Sequence, residues 1–487
     1  MDSEELRKWG KEMVDFVADY WDGMRQRSPI HNATPGYIWD LMPKEAPEHG
    51  DPWPKIFADI EEVVLKHNTN WHHPHFFAYY GTANSYPAVI GDILSTAMAS
   101  IGFSWHSSPS MTELEMATTD WLARLVGLPD HFLNSEPGPG TGMIQSSASD
   151  STFVALLAAR EKACDRLAAA DGVQLEESDT GGAYRHGKRI HKLVAYCSDQ
   201  ANSGVERAGL FGAVVMRKLE TFKEDAFGLR AKTLAKAIEE DVAAGLTPFF
   251  LCATVGSTGA CCIDSVRELA ELCVEHDIWV HVDAAYAGSA AVCPEYRHLL
   301  DGVELADSFV FNGHKWFMVN FDCAFVWYKD HRAVSNAFFV NPIYLAHDYQ
   351  DCVVPDYRNM QVPLGRRFRS IKLWFVLRAL GAERLREHIR SMCRLSKQFG
   401  ELVEASDDFE LYLPVTLGLV CFRAKGDNAR NKRLMDAINE DRRLHMIPGI
   451  AADDYFLRLA ICSSLTTSDD IHFAFNVIRE LNSPLSE

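Results

Sequence analysis

The sequence predicts a doubly wound α/β protein: a large domain on a mostly parallel sheet, followed by a small α+β domain. Three observations predict it. From about 190 to 320, apolar strand-like runs alternate with amphipathic helical stretches, the pattern of strand–helix–strand units. From about 386 onward, shorter helices and strands alternate up to a final helix. The chain has 487 residues, 47% apolar and 24% charged, enough for a large core and two or three domains.

Composition narrows the function. The formal net charge of −19 argues against nucleic acid or an anionic membrane as partner. Twelve cysteines in so long a chain, with no C-x-x-C pair, fit reduced thiols in a cytosolic protein better than a disulfide framework. The start, MDSEELRKWG, has no apolar signal region, and no stretch reaches the length of a membrane span. Asn32-Ala33-Thr34 fits a glycosylation pattern and, without a secretion signal, is read as chance.

Taken in order, residues 4–25 predict an amphipathic helix with Met13, Val14, Val17, Tyr20 and Trp21 on one face. Pro29, Pro35 and Pro43 then break the chain into turns. The stretch 67–86 holds His67, His72, His73 and His75. Their spacing suits neither ligation on one helix face nor a zinc knuckle, so no metal is expected. Residues 86–127 predict two helices with a loop at 102–109. Gly138, Gly140 and Gly142 permit φ > 0 and a compact turn. Ser147-Ala148-Ser149 then enters an apolar helix, Thr152–Lys162. Amide groups and two hydroxyls at a helix start make an anion site suited to a phosphate. A polar, Gly-rich stretch at 164–190 predicts helix ends and a surface loop.

Strands are expected at 191–196, 248–255, 280–282, 309–311 and 324–328, and helices at 230–244 and 266–276. Residues 330–360 form a long polar insertion without a period, as lids do. A helix at 371–380 follows. The small domain carries helices at 398–405, 430–439 and 469–481 and strands at 419–423 and 455–461.

Two positions carry the chemistry. Asp283 stands at the end of a strand, WVHVD, where ligands of open α/β sheets sit. A carboxylate there can keep the pyridine nitrogen of pyridoxal phosphate protonated, so that the ring acts as an electron sink. Lys315 lies between apolar runs in FNGHKW. Partial desolvation lowers an amine's pKa, and a neutral amine can condense with an aldehyde cofactor.

At these residues the chain resembles the aromatic L-amino acid decarboxylase group of pyridoxal-phosphate enzymes: HVDAAYAG, then FNGHKW and NFDCAFVW, and LRLAICSS near the end. The resemblance covers essentially the whole chain. It implies an aminotransferase-like (type I) fold and a homodimer. Residues 1–85 would be an N-terminal helical segment on the partner, 86–385 the cofactor-binding domain and 386–487 the small domain. It implies cofactor contacts from Ser147, Ala148, Ser149, Asn202, Thr254, Asp283, Ala285, Asn312, His314 and Lys315. An aromatic pocket would come from Trp71, Tyr79, Tyr80, Thr82 and Phe103. Tyr80-Gly81 departs from the Phe-Pro of many members and puts the ring preference in question. The basic run Arg366-Arg367-Phe368-Arg369 is read as a structural anchor.

Asn202 is the most informative departure. Ordinary members carry His there, over the cofactor ring, whereas insect-type aromatic acetaldehyde synthases carry Asn. Imidazole relays a proton near neutral pH, and a carboxamide does not titrate. The carbanion left after loss of CO2 should then live longer and could meet O2. Tyr344, in the expected lid, matches the residue that delivers the proton, where plant-type synthases carry Phe. The reading is therefore decarboxylation with oxidative deamination of an aromatic L-amino acid, L-dopa foremost, to an arylacetaldehyde, CO2, NH3 and H2O2. The alternative is a plain decarboxylase that releases the amine. Lys315, Asn202 and Tyr344 are the expected catalytic residues.

Overall fold

The computed structural model describes residues 1–82, 84–172, 187–340, 342–347 and 354–485. Parts of the expected loop 164–190 and of the insertion 330–360, at 173–186, 341 and 348–353, lie outside the described residues.

A seven-stranded sheet carries the site. Its strands are β1 (Thr141–Gln145), β2 (Leu193–Ser198), β3 (Val215–Leu219), β4 (Thr247–Thr254), β5 (Trp279–Asp283), β6 (Ser308–Asn312) and β7 (Ala324–Tyr328). The order is β1-β7-β6-β5-β4-β2-β3. Every pair from β3 to β6 is parallel, and β7 runs antiparallel to both β6 and β1. The predicted α/β class holds, with one reversed strand. All five residues of β1, β5, β6 and β7 are buried, as strands covered on both faces must be.

A second sheet of β8 (Phe409–Leu411), β9 (Leu419–Ala424), β10 (Ile447–Ala451) and β11 (Asp454–Ala460) is antiparallel, in the order β10-β11-β9-β8. It forms the small C-terminal α+β unit.

Several expectations change. Of the three glycines of the expected turn, Gly138 lies in a bend with positive φ (148°), whereas Gly142 lies in strand β1 and neither it nor Gly140 has positive φ. Gly140 and Gly142 serve close approach instead. A Cβ would lie 2.0 Å from the His131 carbonyl oxygen at the first and 2.5 Å from Trp327 Nε1 at the second. The helix after β1 spans Ala148–Ala170, longer than expected, because Ala163, Cys164 and Ala168 continue its buried face. Residues His331–Phe338, expected to be irregular, form a helix capped by Asp330 and pinned by buried Val334. The helix expected at 371–380 continues as Ser370–Glu404, with a break at Gly381 (φ 67°).

Candidate functional site

A cavity of about 230 Å3 opens where β4, β5 and β6 end and two helices begin. This is the carboxyl edge of the sheet, where open α/β folds bind ligands. Register places Thr254 beside Asp283, and Asp283 beside Val310.

Lys315 enters from the single-turn helix Gly313–Trp316 that follows β6. Glycine at 313 allows the turn, since a Cβ there would lie 2.4 Å from the Phe325 ring. The lysine is half-buried at the cavity wall. Desolvation lowers its pKa; Asp283 opposes that shift, and buried Arg458 adds to it. Its Nζ sits 5.5 Å from the centre of the Tyr80 ring. Burial raises the Asp283 carboxyl, against the pull of Lys315 and of the Ala285 N–H, which donates to Oδ1 at 3.0 Å. Beside it, the buried Thr254 hydroxyl has no partner among the described residues. Behind it, Asp264 accepts from the N–H groups of Thr254 (2.7 Å) and Leu229 (2.8 Å), and burial lifts its pKa to about 7.

The helix start at 147–149 forms the opposite wall. Ser147 caps the helix, accepting from the Asp150 N–H at 3.1 Å, and does not face the cavity. The Ser149 hydroxyl does, and it makes no hydrogen bond among the described residues. Gly204 lies against it; a Cβ there would come within 2.4 Å of Ser149 Oγ. The Ala148 N–H donates to Asn312 Oδ1 at 3.0 Å, which ties the end of β6 to this helix start. Asn202 caps the helix Ser203–Gly212, accepting from the Gly204 N–H at 2.8 Å, and donates through Nδ2 to Thr258 Oγ1 at 2.8 Å.

The structure thus brings Ala148, Ser149, Asn202, Thr254, Asp283, Ala285, Asn312 and Lys315 to one cavity. His314 is not on its wall. Its Nδ1 accepts the Cys323 N–H at 2.9 Å, its ring meets Phe321 edge-on, and burial lowers its pKa to about 4. Of the aromatic set only Tyr80 reaches Lys315. Its ring stacks on Tyr286 at 3.6 Å and its hydroxyl donates to the Ser257 carbonyl at 3.0 Å. Trp71 and Tyr79 stack on each other at 5.2 Å, 42% and 44% exposed, away from the cavity. Thr82 and Phe103 are half-buried elsewhere; the Phe103 carbonyl accepts the Arg358 N–H at 3.0 Å. Tyr344 is 78% exposed on the turn Ile343–Leu345. At Gly81 a Cβ would meet its neighbours at 3.5–3.6 Å, ordinary contact, so the backbone does not demand glycine. Sequence reading missed Gly256, Ser257 and Thr258, which line the cavity. Their position just past β4, beside Thr254, was the available signal.

A desolvated lysine, a strand-end carboxylate and a free hydroxyl at a helix start define an α/β site for an aldehyde cofactor that carries an anionic group. The orphaned Thr254 hydroxyl and the Gly204–Ser149 approach fit such an occupant. Residues 35–425 match the family model described as the pyridoxal-dependent decarboxylase conserved domain. Over 98% of the chain and 91% of the relative, the sequence is 48% identical to an aromatic-L-amino-acid decarboxylase of Drosophila melanogaster. It is 48% identical to the same-named protein of Cavia porcellus, over 99% and 98%. The fold matches Catharanthus roseus tryptophan decarboxylase with a TM-score of 0.91 at 38% identity, covering 100% and 99% of the two chains. It also matches Rhodiola rosea 4-hydroxyphenylacetaldehyde synthase at 0.90 and 33%, covering 99% of each. The chain belongs to the pyridoxal-dependent decarboxylases, in the group of the aromatic-L-amino-acid decarboxylases. It is a carboxy-lyase that depends on pyridoxal phosphate.

Proposed function

We propose that the chain removes the carboxyl group of an aromatic L-amino acid, L-dopa foremost, and releases the amine. The observation that carries the reading is the desolvated Lys315 beside Asp283 and Tyr80, in a chain so close in sequence to named decarboxylases. Lys315 would hold the cofactor aldehyde, and Asp283 the ring nitrogen. Ser149, at the helix start beside Ala148 and Asn312, would hold the phosphate. Thr254 and Ala285 would flank the ring. The cofactor, when bound, supplies an electron sink for the electron pair that CO2 leaves behind. Tyr80 would offer the substrate ring an aromatic wall, and Tyr344, exposed on its turn, would donate a proton to the substrate carbon.

The reading includes a homodimer. An apolar groove of about 860 Å3 between the helices Ser3–Asp22 and Tyr86–Met98 is lined by Val14, Val17, Val89, Ile90 and Ile93, which a second copy would cover. Trp71, Tyr79, Thr82 and Phe103 would complete the aromatic pocket only in that assembly.

One observation favours a second reading, the oxidative route. The titratable groups on the described cavity wall are Asp283 and Lys315, and Asn202 puts a carboxamide where a relay imidazole would act. L-dopa, O2 and water would then give 3,4-dihydroxyphenylacetaldehyde, CO2, NH3 and H2O2, with O2 taking two electrons from the substrate. The experiment is to incubate holoenzyme with L-dopa in air and quantify dopamine, aldehyde and peroxide together. Dopamine without peroxide supports the amine-forming reading. Aldehyde and peroxide in near-equal amounts overturn it in favour of the oxidative route, and no turnover overturns both.

A further inference from the structure

A buried chain of side-chain hydrogen bonds runs beneath the cofactor cavity. His281 lies on β5 two residues before Asp283, and alternate residues of a strand share a face. Its register partner on β6 is Ser308. The Trp279 Nε1–H donates to Ser308 Oγ at 2.9 Å, and Ser308 Oγ lies 2.8 Å from His281 Nδ1. On the other side of the ring, His281 Nε2 lies 3.1 Å from Thr152 Oγ1, which donates to the Ala148 carbonyl at 2.9 Å. His281, Ser308 and Thr152 are wholly excluded from solvent, so each polar hydrogen needs a partner inside the protein. That requirement fixes the order of donors. Indole only donates, so Ser308 Oγ accepts from Trp279 and gives its own proton to Nδ1. Nε2 then carries the ring proton and donates to Thr152, which donates to Ala148. The opposite order would put two N–H groups on Ser308 Oγ and leave its proton no acceptor among the described residues. Burial keeps the ring neutral, with its pKa lowered to about 3. Ala148 is thus held at both backbone polar groups: its N–H by Asn312 Oδ1 at 3.0 Å, at the end of β6, and its carbonyl by the chain that passes through Ser308.

We propose that His281 is a positioning residue for the anionic end of the cofactor: protonated on Nε2, it holds through Thr152 the first turn of the helix Ala148–Ala170, which presents Ser149 to the cavity. The proposal rests on the functional reading, in which that helix start holds the phosphate and Asp283 the ring nitrogen. Neither His281 nor Thr152 is on the cavity wall, whereas Ala148, Ser149 and Asp283 are. His281 therefore acts through the helix start and touches no bound group. Because it shares β5 with Asp283, its ring sets how far the helix start, whose N–H groups suit an anion, stands from the carboxylate.

The test uses the full chain as wild type, His281→Asn, Thr152→Val, Thr152→Ser and the His281→Asn/Thr152→Val pair. Asparagine keeps an acceptor near Ser308 but is too short to reach Thr152; valine keeps the shape of Thr152 and removes its hydroxyl. Each protein is stripped of cofactor and titrated with pyridoxal phosphate and, separately, with pyridoxal, which lacks the phosphate. Absorbance reads the dissociation constants. Loss of one orienting hydrogen bond should weaken pyridoxal phosphate about threefold to tenfold in His281→Asn and in Thr152→Val. Pyridoxal should bind all the proteins as it binds wild type. Thr152→Ser should restore the phosphate-dependent part, and the pair should lose less than the product of the two single losses. Should His281→Asn not fold, Thr152→Val cuts the same link and is read in its place. Wild-type affinity for pyridoxal phosphate in both single variants overturns the proposal. So does equal weakening toward the two ligands, which a merely loosened fold would give, or a serine variant as weak as the valine. If wild type itself binds pyridoxal as tightly as pyridoxal phosphate, the phosphate site at Ser149 fails and the proposal with it. If wild type prefers the phosphate and the variants keep that preference in full, only the role of His281 fails.

Discussion

Replacing Arg366 with Met should cost this protein about 3–5 kcal/mol and loosen its cofactor site. Arg366 Nη2 meets Glu115 Oε1 at 2.6 Å, with both side chains essentially excluded from solvent. The same nitrogen donates to the Ile144 carbonyl at 2.7 Å, and the Ile144 N–H donates to Glu115 Oε1 at 2.7 Å. The pair thereby anchors β1, the strand that leads into Ser147–Ser149. Desolvating two charges leaves such a pair little net worth, but removing one partner strands a buried carboxylate, which typically costs about 3–5 kcal/mol. At roughly 2 °C per kcal/mol for a large domain, the melting temperature of the cofactor-free protein should fall by about 6–10 °C. Glu115→Gln/Arg366→Met removes both charges and keeps an acceptor for the Ile144 N–H. It leaves the Ile144 carbonyl unpaired, a cost of about 1–3 kcal/mol. The double variant should therefore be more stable than Arg366→Met alone. Thermal unfolding of the three proteins decides it. A loss below about 2 °C for Arg366→Met, or a double variant less stable than the single, would refute the reasoning.

Other outcomes follow from the same geometry. Gly204→Ala drives a Cβ to within 2.4 Å of Ser149 Oγ, so cofactor titration should show an affinity about tenfold weaker, while far-ultraviolet dichroism stays that of wild type. Burial holds His281 at about 3 and His72, His73, His314, His388 and His445 at about 4, below the ordinary value of 6.5. Depressed histidines leave the folded state neutral while the unfolded chain takes up protons. Stability should be full above pH 6.5 and fall as pH drops toward 4, by about 1.4 kcal/mol per pH unit for each fully buried ring; a melting temperature that stays level from pH 7 to pH 5 would contradict this. If the proposed homodimer forms over the apolar groove, Ile93→Glu puts a charge into it and should halve the mass seen by light scattering; an unchanged mass would remove that face from the proposed interface.

The sheet and the cavity were legible to different degrees. Strands β4 to β7 could be read because they are continuous apolar runs, and Asp283 and Lys315 because each lies at the end of such a run. Strand β1 could not: Thr141-Gly142-Met143 looks like turn chemistry until Trp327 is known to need the room at Gly142. The helix Ser370–Glu404 hid its length because Gly381 interrupts its period. Resemblance supplied Ala148, Asn202 and Asn312, whose types alone say little. What it could not convey was how they are used: Asn312 accepts the Ala148 N–H, and Asn202 is spoken for by Gly204 and Thr258. Trp71, Tyr79 and Phe103 were grouped with Tyr80 by resemblance, yet of these only Tyr80 reaches Lys315 within one chain.

The most direct measurement fixes the cofactor where it binds. Purified holoenzyme is treated with borohydride, digested, and the pyridoxyl group located by mass spectrometry. The account predicts modification at Lys315 alone, lost when L-dopa is present in excess before reduction. Modification at another lysine, or none in a protein that still turns over L-dopa, would contradict the site on which every other conclusion rests.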